Sequence, residues 1–214
     1  MERLPLLICF AVKEEAKAFG RPQNSDHWKI LITGMGRRNA EKNIRAALLS
    51  FRPGLVITAG FAGGLNPQFT MGTVVFDEDN EAGLGERLLK HGAVRAKFHC
   101  AQRVAVTAEE KWQLWQTTGA DAVEMESEVI RRICREQKIP SATVRVISDV
   151  AGEDLPLDFN TLMTAENRIS YAKLAAKLLR GPQAIPQLMK FRQQTIVAAT
   201  KLASALRASL PGGD

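Results

Sequence analysis

The chain has 214 residues, 45% of them hydrophobic and 24% charged, and a formal net charge of +6. That length supports one sizeable core, and no low-complexity linker or fixed-period repeat divides it, so residues 1–214 read as a single domain. The basic residues are not interleaved with aromatics, which argues against nucleic acid. The three cysteines (Cys9, Cys100, Cys134) show no CxxC or Cys/His spacing, which argues against a disulfide framework or zinc site and for a reducing cytoplasm.

In chain order, the first element is LLICFAV (6–12). The apolar run there, Leu4 to Val12, has no basic leader or small-residue cleavage site and is read as a strand rather than a signal peptide. No stretch approaches the roughly 20 apolar residues of a membrane span. KEEAKAF then starts a helix, and WKILIT (28–33) is the next strand, ending at Gly34-Met35-Gly36. RRNAEKNIRAALLSF is an amphipathic helix, with Ile44, Ala47, Leu48 and Phe51 spaced by three and four, stopped by Pro53-Gly54. LVITAG (55–60) is a fully apolar strand and FAGGLNP the turn after it. TVVF (73–76) and RVAVT (103–107) are further strands, separated by a loop with a short helix. AEEKWQLWQTTG (108–119) is helical, opened by Ala108 and Glu109 and closed by Gly119. AVEME leads into ESEVIRRICREQK, a helix expected to bury Val129, Ile130, Ile133 and Cys134, and SATVRVIS (141–148) is the last strand. From about 157 to 210 the pattern is helical, broken around GPQAIP (181–186).

Apolar strands alternating with helices imply an α/β sheet covered on both faces, and such sheets bind ligands beyond the carboxyl ends of their strands. The segments at those ends are Glu14-Glu15, Gly34 to Gly36, Gly60 to Leu65, Thr107-Ala108, Glu124 to Ser127, and Ser148-Asp149. An acid in such a place either does chemistry or merely complements a helix N-terminus, and Asp149 equally suits a cap. Arg145, inside an apolar strand, requires a carboxylate partner. His27, His91 and His99 fall outside these segments, no Ser-His-Asp arrangement is visible, and no metal or cofactor motif appears. Carboxylates around glycine turns suit glycosidic cleavage, in which one acid protonates the leaving group and another carboxylate activates water. A phosphoryl or ligand-sensing pocket uses similar groups.

Two motifs go further. A-V-E-M-E-S (122–127) and V-R-V-I-S-D-V-A (144–151), supported by A-V-K-E-E (11–15), G-M-G-R-R-N-A (34–40) and T-A-G-F-A-G-G-L (58–65), resemble the nucleoside phosphorylase and nucleosidase superfamily. Within it, the chain looks most like the methylthioadenosine/S-adenosylhomocysteine nucleosidase branch. The resemblance implies a central mixed, mostly parallel β-sheet flanked by helices, a nucleoside substrate, a homodimer and no cofactor or metal. It implies that Asp149 is the general acid at purine N7, that Glu15 holds the attacking water, and that Glu126 grips the ribose hydroxyls with Met125 packed on the sugar. Arg145 would line the same pocket, with Phe61, Ala62 and Gly63 as its glycine-turn wall. Asp149 must then be protonated, or recapture a proton readily, for adenine to leave.

Phosphorylases of this family hold phosphate with an early arginine loop and a hydroxyl residue in the glycine turn. Here AVKEE and Phe61 stand in those places, so hydrolysis is expected over phosphorolysis. Thr107-Ala108-Glu109 replaces the aromatic expected to stack on the base. The tail KLLRGPQAIPQLMKFRQQTIVAATKLASAL (177–206) and T-A-E-E-K (107–111) resemble a hopanoid-associated branch, whose proposed substrate is an adenosyl lipid. Leu188, Met189, Ile196, Leu202 and Leu206, with Lys190, Arg192, Lys201 and Arg207 nearby, have the spacing of a helix that either lies on a membrane surface or closes the core.

Overall fold

The computed structural model describes residues 5–20 and 28–210. Leu4, where the first apolar run begins, and His27 lie outside the described residues.

Eight strands form one mixed sheet: β1 (Leu6–Phe10), β2 (Trp28–Ile32), β3 (Leu55–Gly64), β4 (Val74–Glu78), β5 (Val94–Arg95), β6 (Phe98–Cys100), β7 (Ala122–Glu124) and β8 (Ser141–Asp149). The order is β2-β1-β3-β8-β4-β5, with β7 pairing the end of β3 and β6 pairing β7. The β1–β2, β1–β3, β3–β8, β4–β5 and β6–β7 pairs are parallel, and β4–β8 and β3–β7 are antiparallel.

Side chains alternate across a strand, so each central strand feeds two cores. On one face Ile8, Phe10, Ile57, Val144 and Val146 pack under Ala198, Leu202 and Leu206 of the last helix, α8 (Ile185–Ser209). On the other, Leu7, Cys9 and Val56 meet Ala40 and Ile44 of α2 (Arg37–Ser50) and Val129, Ile130, Ile133 and Cys134 of α5 (Ser127–Glu136). Each of the buried Val, Leu, Ile and Phe side chains among these contributes about 1.5–3 kcal/mol. The inward face expected for 129–134 is the one observed. The remaining helices are α1 (Lys13–Lys17), α3 (Gly85–Lys90), α4 (Ala108–Thr118), α6 (Phe159–Leu162) and α7 (Tyr171–Arg180).

Several local expectations are corrected. FAGG is no turn: β3 runs through to Gly64, because pairing with β8 and then β7 supplies ladder partners as far as that residue, with a register irregularity between Ala62 and Gly63. RVAVT (103–107) forms no strand. The Val104 N–H donates to Asn160 Oδ1 (2.9 Å), its carbonyl accepts from Asn160 Nδ2 (3.0 Å), and the Val106 N–H donates to Glu110 Oε2 (2.6 Å). Side chains thus meet the backbone's demand that a neighbouring strand would have met. Helix α4 is opened by Thr107, whose hydroxyl accepts the Glu110 N–H (3.1 Å) while the Glu110 carboxylate reaches back to the Thr107 N–H (3.3 Å). The tail breaks at Gly181 and Pro182, where expected. Among the described residues no helix is long and apolar enough to cross a membrane, and no His/Cys/Asp/Glu group is arranged to hold a metal.

Candidate active site

The site is built at the carboxyl ends of β1, β3, β7 and β8. Glu15 is placed by α1, which begins directly beyond β1. Glu14 faces solvent, whereas Glu15 is buried and aimed back at the sheet. Its Oε2 accepts the N–H groups of Ala11 (2.9 Å) and Val12 (3.1 Å), and its Oε1 accepts that of Phe61 (2.8 Å). Burial pushes this carboxyl above its ordinary range, although the Arg145 charge and the three N–H donors pull the other way.

Phe61 therefore contributes its backbone to the site, and the half-buried ring packs against the core. Gly60 is what lets the groups approach. A Cβ there would stand 2.4 Å from Glu15 Oε1 and 2.5 Å from Arg145 Nη1. No side chain fits that gap.

Arg145, on β8, is 1% exposed. Its Nη2 donates to Glu124 Oε2 (2.6 Å) and Thr58 Oγ1 (3.0 Å) and lies 3.6 Å from Glu126 Oε2. The carboxylate demanded by a buried arginine is thus Glu124, which sits at the site and not on the opposite face of the sheet. Glu124 also holds the bend that follows. It accepts the N–H groups of Glu126 (2.9 Å) and Ser127 (2.7 Å) on Oε2 and the Ser127 hydroxyl (2.7 Å) on Oε1. Burial pushes the Glu124 carboxyl up, but Arg145 and these donors outweigh it and leave it below the usual range.

That bend turns Glu126 inward, buried, with the partly exposed Met125 beside it. Glu126 Oε1 accepts the N–H of Gly36 (2.7 Å), the residue that precedes α2 and has φ 81°. Gly34-Met35-Gly36 is therefore a donor loop for Glu126, a role that glycine spacing alone did not specify. Burial pushes the Glu126 carboxyl up to about 7, opposed by Arg145 and assisted by the negative charges of Glu124 and Glu15.

Asp149 ends β8. Its Oδ1 accepts the Ser148 hydroxyl (2.7 Å), which also lies 3.3 Å from the Ala62 carbonyl. A Cβ on Gly63 would lie 3.3 Å from Asp149 Oδ2, so β3 passes close to both ends of the cluster, Glu15 at Gly60 and Asp149 at Gly63. The Ala62 side chain packs in the core with Val75, Ala122 and Ile147, so Ala62 offers the site only its backbone.

The sequence reading missed Lys111. It is 0% exposed, on α4, with Nζ 2.6 Å from Asp149 Oδ2 and donating to the carbonyls of Val150 (2.9 Å) and Glu153 (2.8 Å). One signal was available: Lys111 is three and four residues before Leu114 and Trp115, on the face of α4 that meets the core.

The family model described as the phosphorylase superfamily matches residues 86–181. A 5'-methylthioadenosine/S-adenosylhomocysteine nucleosidase from Marinomonas sp. is 26% identical over 176 residues, covering 64% of this chain and 75% of that protein. The same-named enzyme of Helicobacter pylori, solved with butyl-thio-DADMe-Immucillin-A, superposes with a TM-score of 0.70 at 16% identity, over 98% of each chain. The futalosine hydrolase of Helicobacter pylori superposes with a TM-score of 0.67 at 17% identity, over 96% of this chain and 97% of that one.

Proposed function

We propose that this chain, a member of the phosphorylase superfamily, is a nucleosidase that hydrolyses the N-glycosidic bond of an adenine-type nucleoside. The observation that carries the choice of water over phosphate is the surroundings of Glu15. Three backbone N–H groups, of Ala11, Val12 and Phe61, converge on its carboxylate. Such a nest suits an anion, and here the protein fills it with its own. A phosphate arriving there meets like charge, whereas a water meets a buried base.

In the reaction, the water oxygen bonds to C1′ as the C1′–N9 bond breaks and its electron pair leaves with the base. One water proton goes to Glu15, and the base is protonated at N7 through Asp149. The developing ribosyl cation is stabilised by the carboxylates of Glu15 and Glu126, with Glu126 on the ribose hydroxyls. The names of the relatives support an adenine nucleoside carrying a 5′ thioether.

The test is adenine release from a panel of nucleosides, with and without phosphate, for the native chain and Asp149→Asn. Free ribosyl product without phosphate, and loss of most turnover in Asp149→Asn, is expected. A sugar 1-phosphate product would make the chain a phosphorylase, and binding without turnover would make it a nucleoside sensor.

A second reading, an adenosyl lipid substrate met at a membrane surface, is favoured by the tail. Residues 167–210 hold eight basic residues and no acidic one. Tyr171, Leu179, Ile185, Met189, Ile196 and Val197 are exposed among them. Co-sedimentation with anionic vesicles, absent with neutral ones, is the expected result of this reading.

A further inference from the structure

The proposed acid, Asp149, lies beside the ammonium of Lys111. A fully buried lysine is costly unless its charge and all its donors are met. Here all three are met: Asp149 Oδ2 at 2.6 Å, the Val150 carbonyl at 2.9 Å and the Glu153 carbonyl at 2.8 Å. Three fixed acceptors pin Nζ in one place, and through it pin the rotation of the Asp149 carboxyl. The Ser148 hydroxyl occupies the other oxygen at 2.7 Å. Both oxygens of the Asp149 carboxyl are therefore engaged, and it meets the base with its remaining lone pairs on a fixed bearing.

We propose that Lys111 is a positioning residue for base departure: its ammonium, delivered by α4, fixes and charge-balances the Asp149 carboxylate that handles the N7 proton. The inference rests on the nucleosidase reading and on Asp149 as the group facing the base. On it, Asp149 takes up a proton from solvent and passes it to N7 as the C1′–N9 bond breaks, returning to the carboxylate, while Lys111 keeps its own three hydrogens throughout. The positive charge beside Asp149 then does its work without being consumed. Two elements distant in the chain, the first turn of α4 and the end of β8, are joined by this one side chain.

A structural anchor for the 150–153 loop would show the same contacts, so the test separates charge from anchoring. Steady-state adenine release is measured for native protein, Lys111→Met, Asp149→Asn and the double variant, each first checked for native thermal unfolding. The expected result is a fall in kcat on the order of a hundredfold for Lys111→Met, with KM changed less than about threefold. In the Asp149→Asn background the same change should cost less than about threefold further, because the residue acts only through Asp149. An equal fold loss in both backgrounds, or a near-native kcat for Lys111→Met, overturns the proposal and leaves the nucleosidase reading standing. Near-native turnover of Asp149→Asn overturns both this proposal and the assignment of the acid. Where Lys111→Met does not fold, Lys111→Gln takes its place, since it keeps an N–H donor without the charge. Retained kcat in that variant assigns Lys111 to anchoring alone and overturns the proposal.

Discussion

Arg145 Nη2 and Glu124 Oε2 stand 2.6 Å apart, and both side chains are 1% exposed. The pair joins the middle of β8 to the end of β7, strands that do not hydrogen-bond to each other. Around it are two further buried acids, Glu126 at 3.6 Å from the same nitrogen and Glu15 across Gly60. One guanidinium therefore balances three carboxyl groups. Arg145 and the hydrogen-bond donors around Glu124 outweigh its burial and hold it low, whereas burial, with the negative charges of Glu124 and Glu15 beside it, pushes Glu126 up to about 7.

Arg145→Met should be severely destabilising. Removing one partner of a buried pair costs about 3–5 kcal/mol, because the abandoned charge stays buried. Denaturant unfolding at neutral pH checks it, and a loss below about 1 kcal/mol would show that the three carboxyl groups do not depend on this charge.

Glu126→Gln should have a pH-dependent effect of known sign. The folded-state group titrates at about 7, above the 4.5 of an ordinary glutamate. The native state thus holds a proton that the unfolded chain releases, and native stability falls as pH rises from about 4.5 to about 7. The neutral variant escapes that fall. Its stability relative to the native chain should rise across this window by up to a few kcal/mol, at about 1.4 kcal/mol per unit. Thermal unfolding of both proteins from pH 4 to pH 8 measures the difference, and a flat difference counts against the shift. Its KM for the nucleoside, taken relative to that of the native chain, should rise over the same range as the native carboxylate forms.

Glu15→Gln should lose activity by about 10²–10⁴-fold in kcat, the usual contribution of a general base. The variant offers one acceptor oxygen to the three N–H donors of Ala11, Val12 and Phe61, so at least one loses its partner. A modest stability loss of about 1–3 kcal/mol accompanies it. Added phosphate should not restore turnover; restoration would reopen phosphorolysis.

Gly60→Ala tests how closely the strand is threaded between the acids. Its Cβ would drive into Glu15 Oε1 and Arg145 Nη1 at 2.4 and 2.5 Å, and its φ of 153° disfavours any side chain. Both contacted groups are held by other bonds, so they cannot swing away freely. The expected cost is about 1–3 kcal/mol together with a large loss of kcat. Gly64→Ala, whose nearest neighbours lie at 3.2 and 3.3 Å, should be milder in both measures. Equal effects would contradict the crowding argument.

Much of the fold was legible because burial leaves periodic marks. The inward face of α5 was readable from Val129, Ile130, Ile133 and Cys134, and β1, β3 and β8 from their unbroken apolar runs. β5 and β6, at two and three residues, carry too little pattern to register. RVAVT alternates like a strand, yet its hydrogen bonds are taken up by Asn160, which arrives through a tertiary contact, and by Glu110, on the first turn of the helix that follows.

For the site, the sequence by itself singled out Glu15, Glu126 and Asp149 as candidates, because they stand just beyond apolar strands and within the motifs that carry the resemblance. Only the tertiary structure decided what each faces. Glu124 and Glu126 are two residues apart and look equivalent in the chain, but the bend between them gives one to Arg145 and the other to the Gly36 N–H. Lys111 is 38 positions from Asp149 and reads as an ordinary helix charge until α4 docks against the end of β8. Protonation and partnership depend on distance and burial, and those are set by folding rather than by neighbours in sequence.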